Sequence, residues 1–123
     1  MTVTKHTDRP YWSTPEFEEA KKFGPSIVVM EFGMNDAKSR NWNESAFIED
    51  YKSMITTFQN LESHPHVFVC IPPPFYSNVS KFDVQPHIVN TVLPRVVAKI
   101  ANDMVSAAAH YQANNMLVTE NFW

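Results

Sequence analysis

Continuous apolar runs alternate along the chain with segments in which apolar residues recur at helical spacing. In the segment Ser26 to Phe32 nearly every position is apolar and several residues are β-branched, which predicts a central parallel strand covered on both faces. The segment His66 to Ile71 has the same character and predicts a second strand of this kind. Glu31 is the exception in the first run, and we expect it at a strand end or a sheet edge.

Three helices are predicted around these strands. The first spans Pro15 to Phe23, and the third spans Pro86 to Asp103, where Pro94 should bend or break it. The second helix can be capped by either Asn43 or Ser45. Its apolar residues recur at spacings of three and four, which predicts one buried face: Phe47, Tyr51, Met54, Ile55 and Phe58.

This order of elements predicts one α/β domain. Strand, helix, strand and helix in succession form a parallel sheet with right-handed crossovers. We expect residues 1–103 to form the domain and residues 104–123 to form a divergent tail, in which Met116 to Thr119 is an edge strand or an unanchored end. The single cysteine, Cys70, lies in the second apolar run, so we expect it to be buried and without a disulfide.

Composition and charge narrow the function classes. Apolar residues make up 44% of the chain, enough for a packed core, and the net charge of −3 comes from 10 basic and 13 acidic residues without long runs. Such a charge pattern argues against a nucleic-acid partner, and no apolar segment approaches the length of a membrane span. The first ten residues are polar and show no secretion signal, so the sequence does not predict a compartment.

Candidate chemistry lies in the loop that follows the first strand. In α/β sheets ligands bind at the carboxyl ends of the strands, and Gly33-Met34-Asn35-Asp36 stands at such an end. Gly33 allows a tight turn where a side chain would clash, and Asn35 has an amide that could face a developing oxyanion. Asp36 could hold the loop by accepting backbone N–H groups. The four residues alone are more typical of an ordinary strand-to-loop turn.

Several segments taken together resemble one family. Phe-Gly-Met-Asn-Asp-Ala-Lys at 32–38, Asn-Trp at 41–42, Phe-Ile-Glu-Asp-Tyr at 47–51, Tyr-Trp-Ser-Thr-Pro-Glu-Phe at 11–17 and Ile-Pro-Pro-Pro at 71–74 are similar to SGNH (GDSL-type) hydrolases. Among these the resemblance is to sialate O-acetylesterase-like and related carbohydrate esterases, and it extends from Pro10 to Ile100.

The resemblance implies a fold and an activity. The fold would be a flavodoxin-like, three-layer α/β/α sandwich, here incomplete, and the reaction would be hydrolysis of O-acyl carbohydrate esters through a serine acyl-enzyme. Asn35 matches the family's oxyanion-hole asparagine and Gly33 the glycine before it. No cofactor or metal is implied, and the ligand would be an acylated carbohydrate or another small ester.

Three further blocks of that family are not found in this sequence. They are the Gly-Asp-Ser of the nucleophile, a glycine that supplies a second oxyanion donor, and the Asp-x-x-His of the base. We therefore expect a truncated hydrolase domain that is inactive alone. The alternative is a non-catalytic module on the same fold that binds a carbohydrate or a protein. An active esterase with a rebuilt or intermolecular site is the least favoured interpretation.

Other residues have weaker claims to chemistry. A rebuilt triad could use His87 with one of three loop serines, although ordinary loop positions are the favoured interpretation: Ser39, Ser77 and Ser80. His64 and His66 could suggest a metal site, but no third ligand is close in sequence. The favoured interpretation is therefore that both are ordinary surface histidines. Four aromatic residues could stack on a sugar or equally pack loops against the sheet: Trp12, Trp42, Phe75 and Tyr76.

The incomplete sheet also has a consequence for assembly. If flanking strands of the family fold are missing, at least one apolar strand edge is unpaired, and such edges pair with other chains. We therefore expect a homo-oligomer, or a swapped tail in which Met116 to Thr119 covers an edge.

Overall fold

The fold is built on one parallel sheet. The computed structural model describes residues 1–76, 83–109 and 116–119, and only the backbone of 105–109 and 116–119. The strands are β1 (Ile27–Met30), β2 (His66–Cys70) and β3 (Met116–Thr119), in the order β1-β2-β3 with both pairs parallel. The predicted α/β fold and its parallel sheet are confirmed, and Cys70 is buried as expected.

Three helices accompany the sheet. Helix α1 (Pro15–Lys22) precedes β1, α2 (Glu44–Gln59) joins β1 to β2, and α3 (Leu93–Ala109) joins β2 to β3. Helices α2 and α3 lie side by side against β2. Their apolar faces supply most of the core, which the described strands complete. In the described part of the chain, no helix has the length and apolar character that crossing a bilayer requires.

Helix α2 follows its sequence pattern closely. The Asn43 Oδ1 accepts the backbone N–H of Ala46 at 3.0 Å, so Asn43 rather than Ser45 is the N-cap. The five residues predicted to form the apolar face are all buried, and Tyr51 also donates from its hydroxyl to the Met30 carbonyl at 3.4 Å. The predicted buried face is confirmed.

An irregular turn immediately precedes helix α3. Residues Ile88–Val92 form a single π-helical turn, and Pro94 follows as the second residue of α3. A proline has no N–H for the carbonyl four residues before it and its ring crowds that carbonyl, so a wider turn at this point accommodates it. Pro94 was predicted to bend or break the helix, and in the structure the π-helical turn stands before it while the helix continues through it. The helix runs on to Ala109, beyond the predicted end at Asp103.

The prediction that the first strand is central and covered on both faces is wrong. Among the strands that the structure describes, β1 stands at the edge of the sheet, next to β2. Met30 is buried on the helix-covered face, but Ile27 and Val29 on the opposite face are 61% and 49% exposed. An apolar run contains no information on whether its faces are covered by the same chain, which is why the pattern was misleading. In the described residues, the helices therefore cover one face of β1, and a second helical layer is not among them.

Candidate functional site

The loop that leaves β1 is closed by its own backbone. The Gly33 carbonyl accepts the N–H of Ala37 at 2.8 Å, and the Asn35 carbonyl accepts the N–H of Lys38 at 3.4 Å. The Asn35 carbonyl also accepts the Nδ2 of Asn41 at 3.0 Å. These bonds turn residues 33–38 back on themselves and place the loop at the carboxyl end of β1, where α/β sheets hold their ligands.

Gly33 has a packing reason to be glycine. Its φ of +131° lies in a region that favours glycine, and a Cβ there would approach Leu93 Cδ1 to 2.8 Å and Pro72 Cγ to 3.3 Å. The second residue after β2 and the first residue of α3 thus both close on this position. The clash expected from the sequence exists, and its partners are residues distant in the chain.

Asp36 lies beneath the loop and is fully buried. Its Oδ1 accepts the backbone N–H of Val3 at 3.1 Å, the N–H of Thr4 at 2.9 Å and the Thr4 hydroxyl at 2.7 Å. Burial raises the pKa of this carboxyl, while the hydrogen bonds from Thr4 and Val3 oppose that rise. The donors come from the N-terminal segment, so the carboxylate joins that segment to the loop.

A second set of contacts attaches the N-terminal segment to the same loop. The Asp8 carboxylate accepts Asn41 Nδ2 at 2.8 Å and pairs with Arg40 at 2.9 Å and Lys38 at 3.3 Å. The hydrogen bond from Asn41 and the nearby cations lower the pKa of Asp8. Sequence reasoning missed this arrangement because its partners are about thirty residues apart, and no local pattern connects them.

Asn35 is the residue of this loop whose side chain remains available. It is half-buried, and its amide makes no hydrogen bond with any residue that the structure describes. Its backbone carbonyl is engaged, which fixes the position of the residue, and Asn35 lines a groove beside β1. An amide held in this way can donate to a ligand oxygen.

The loop after β2 is held by a side chain of the π-helical turn. Asn90 Oδ1 accepts the N–H of Phe75 at 2.7 Å, and Asn90 Nδ2 donates to the Phe75 carbonyl at 2.7 Å. The next residue, Tyr76, is 83% exposed. Of the four aromatic residues considered for sugar stacking, Tyr76 is the one that presents its ring to solvent. The loops bearing Asn35 and Tyr76 leave the carboxyl ends of neighbouring strands.

The other aromatic candidates are packing residues. Trp12 donates from Nε1 to the Val3 carbonyl at 2.7 Å and packs on Phe17, with ring centroids 5.4 Å apart. Trp42 is half-buried and packs on Phe47 at 5.3 Å between ring centroids. These contacts support the packing interpretation for both tryptophans.

The structure does not bring a rebuilt triad together in its described part. The Ser39 hydroxyl donates to the Asp83 carboxylate, and His87 is exposed without a recorded contact to Ser39. Ser77 and Ser80 lie outside the described residues. His64 is exposed, with Nδ1 3.3 Å from the Gln59 carbonyl oxygen. The residues that the structure describes contain no cluster of three metal-binding side chains.

A groove of about 550 Å³ runs along the edge of β1 that no described strand pairs, which we call its free edge. Its walls are mainly apolar and include the exposed side chains of Phe23, Ile27 and Val29. Asn35 lines it at the carboxyl end of the strand, together with Glu31, whose pKa is raised by burial. We call this feature the β1 groove.

Comparison with known proteins relates the chain to one class of proteins. No family model matches the sequence. An acetylxylan esterase of Xylanibacter ruminicola is 36% identical over 55 residues, which are 44% of this chain and 12% of that protein. A family two carbohydrate esterase from Clostridium thermocellum, solved in complex with cellohexaose, superposes with a TM-score of 0.56 at 19% identity. The chain is similar to carbohydrate esterases.

The extent of these similarities defines what they show. The superposition covers 78% of this chain and 25% of the esterase chain, and an active-site mutant of a family two carbohydrate esterase from the same organism gives the same coverage with a TM-score of 0.57. At 19% identity this likeness shows a shared α/β fold. The chain spans only a small part of each relative. The narrower resemblance to sialate O-acetylesterases stays a prediction.

Proposed function

We propose that this chain supplies the oxyanion-binding side of an esterase site for O-acyl carbohydrates. The observation that carries the proposal is Asn35, which lines the β1 groove and whose side-chain amide makes no hydrogen bond in the described part of the chain. In acyl transfer, a fixed donor of this kind stabilises the negative charge that develops on the carbonyl oxygen. In this proposal Gly33 accompanies Asn35 as part of the oxyanion hole.

The role of Asp36 in this proposal is to hold the donor in place. Its carboxylate binds Val3 and Thr4 below the loop, so the backbone on which Asn35 stands is tied to the N-terminal segment. Fixed donors stabilise charge better than mobile ones because they need no reorganisation during the reaction. Asp36 is therefore a positioning residue for Asn35.

We further propose that the chain alone does not turn over an ester. The sequence contains neither Gly-Asp-Ser nor Asp-x-x-His, and Ser39 is bonded to Asp83 rather than to a histidine base. Without an activated nucleophile, an oxyanion donor has no tetrahedral intermediate to stabilise. The chain would bind the acylated carbohydrate and leave the acyl group intact.

The alternative function is a carbohydrate-binding module on the same fold. The observation that favours it is Tyr76, which is 83% exposed. The preceding residue, Phe75, is fixed because Asn90 forms hydrogen bonds with both its N–H and its carbonyl. An exposed aromatic ring at a fixed place can stack on a sugar ring. The similar Clostridium thermocellum enzyme was solved with cellohexaose, which supports a carbohydrate ligand for either function.

Nitrogen-15 NMR of the whole chain can separate these functions. The side-chain NH₂ signal of Asn35 is identified by its loss in Asn35→Ala. Acetylated xylo-oligosaccharide is then titrated in, with the deacetylated oligosaccharide as the control ligand. We expect the Asn35 NH₂ signal to shift with the acetylated sugar and to stay in place with the control.

Each other outcome has a definite meaning. Shifts near Tyr76 with both sugars, and none at Asn35, would favour the binding module and contradict the oxyanion role. No shift with either sugar would reject both. Release of p-nitrophenol from p-nitrophenyl acetate that depends on Asn35 and is blocked by a serine-directed phosphonate would contradict the proposed lack of turnover.

A further inference from the structure

The exposed apolar surface of the described chain is concentrated at one place. Five large hydrophobic side chains are strongly exposed in the described residues, and four of them line the β1 groove: Met1, Phe23, Ile27 and Val29. Scattered exposed hydrophobic residues are normal in soluble proteins, but a contiguous apolar patch marks an interaction surface. The fifth, Tyr76, lies in the loop after β2.

The backbone of β1 adds directional hydrogen-bonding groups to this patch. Ser26 accepts the N–H of His66 at 2.9 Å, so Ser26, Val28 and Met30 face β2 in the regular parallel pattern. The N–H and C=O groups of Ile27 and Val29 therefore point to the free edge. Strands of this kind are normally protected by charge, proline or a bulge, and the segment Ile27–Met30 contains none of these.

We propose that the Ile27–Val29 part of the β1 groove, six positions before its Asn35 end, binds the β1 strand of a second copy of this chain, antiparallel and around a two-fold axis at Val28. An isologous contact between identical edges closes as a dimer only when the two strands run antiparallel. With Val28 opposite its equivalent, Ile27 of each copy pairs with Val29 of the other. The outward-facing N–H and C=O groups of Ile27 and Val29 then form hydrogen bonds with those of Val29 and Ile27 in the other copy. The two three-stranded sheets become one continuous sheet.

The charges and the ends of the strand fit this arrangement. The two-fold axis separates the Glu31 carboxylates to opposite ends of the paired strands, so they do not repel each other at close range. Each Glu31 comes to lie opposite Pro25 of the second copy, just beyond which α1 ends in the exposed Lys22. Pro25 has no N–H to donate, which limits the ladder to the strand itself.

Sedimentation equilibrium of the whole chain tests the proposal. We expect a reversible dimer whose dissociation constant rises by at least about tenfold, equivalent to 1.4 kcal/mol, in Ile27→Lys and in Val29→Lys. Both side chains are largely exposed, so the substitutions should leave the monomer folded, which circular dichroism checks. Tyr76→Lys is the control, because it places the same charge on an exposed aromatic residue outside the groove, and it should leave the dimer unchanged.

A cysteine cross-link tests the register. Val28 faces its equivalent as a non-hydrogen-bonded pair with Cα atoms about 4.5 Å apart, which suits a disulfide. Under mild oxidation Val28→Cys should form a covalent dimer, whereas Ser26→Cys, which this register places far from its equivalent, should not. A stable monomer at high concentration, a dimer unaffected by Ile27→Lys and Val29→Lys, or cross-linking through Ser26→Cys in preference to Val28→Cys would each overturn the proposal.

Discussion

The hydroxyl of Thr4 donates a hydrogen bond of 2.7 Å to the carboxylate of Asp36, which lies 32 positions further along the chain. The backbone N–H of Thr4 donates to the same oxygen at 2.9 Å. Through this contact the first residues of the chain support the loop that carries Asn35. The stability of the N-terminal segment and the geometry of the candidate site therefore depend on one buried carboxylate.

Replacing that carboxylate should be costly. Asp36→Ala leaves the buried N–H groups of Val3 and Thr4 without their acceptor, and we expect a loss of about 3 kcal/mol in the free energy of unfolding. Thr4→Val removes only the hydroxyl bond and should cost about 1–2 kcal/mol. Urea unfolding followed by tryptophan fluorescence measures both. Equal losses for the two variants would contradict the multiple bonds assigned to Asp36.

Gly33→Ala should be destabilising for a steric reason. Its new methyl group would lie 2.8 Å from Leu93 Cδ1 at a φ of +131°. We expect a loss of about 2–3 kcal/mol in the free energy of unfolding. Adding Leu93→Ala relieves the contact but not the backbone strain, so the double variant should lose less than the sum of the two single ones. Strict additivity in thermal unfolding would show that the clash is not with Leu93.

Asn90→Ala should loosen the loop after β2 without unfolding the protein. Both bonds that Asn90 makes go to the backbone of Phe75. We expect the Phe75 amide to exchange with deuterium about 5–10 times faster, because each exposed hydrogen bond contributes about 1 kcal/mol. Thr91→Ala, an exposed neighbour in the same turn, is the control and should leave this rate unchanged. An unchanged exchange rate of the Phe75 amide in Asn90→Ala would contradict the stabilising role of the Asn90–Phe75 hydrogen bonds.

The contacts of Asp8 should make stability depend on acid pH. The pKa of Asp8 is lowered in the folded chain, mainly by the hydrogen bond from Asn41 and by Lys38. A lowered folded pKa stabilises the fold above the usual aspartate pKa of about 4, and this contribution is lost as the pH falls through the folded pKa. In Asp8→Asn the group no longer titrates, so its difference in unfolding free energy from the parent should shrink between about pH 5 and pH 2. A constant difference across that range would contradict the direction of the shift.

The sequence predicted those parts of the fold that depend on local pattern. The spacing of apolar residues predicted α2 and its buried face, with Asn43 as one of two candidate caps. The order of the apolar runs and the helices between them predicted β1 and β2 as strands of one parallel sheet. Gly33 could also be expected at a close approach, although Leu93 could not be named as its partner.

What the sequence did not predict depends on contacts between distant residues. The carboxylates of Asp8 and Asp36 accept hydrogen bonds from residues about thirty positions away, and a periodic sequence pattern does not reveal such pairs. The exposed face of β1 was missed because Ile27 and Val29 have the same apolar side chains whether or not another layer covers them. Asn90 was missed because its partner is a backbone group, which leaves no trace in residue type.

Three consecutive prolines, Pro72 to Pro74, follow β2 and lead to Tyr76. Each proline has a fixed φ, so this stretch has few conformations to lose when the chain folds. The ring of Tyr76 is consequently presented at the end of a stiff arm. A ligand that stacks there pays a smaller entropic penalty than it would on a glycine-rich loop of the same length. If a carbohydrate stacks on Tyr76 as proposed, the stiffness of this segment lowers the entropic cost of binding in advance.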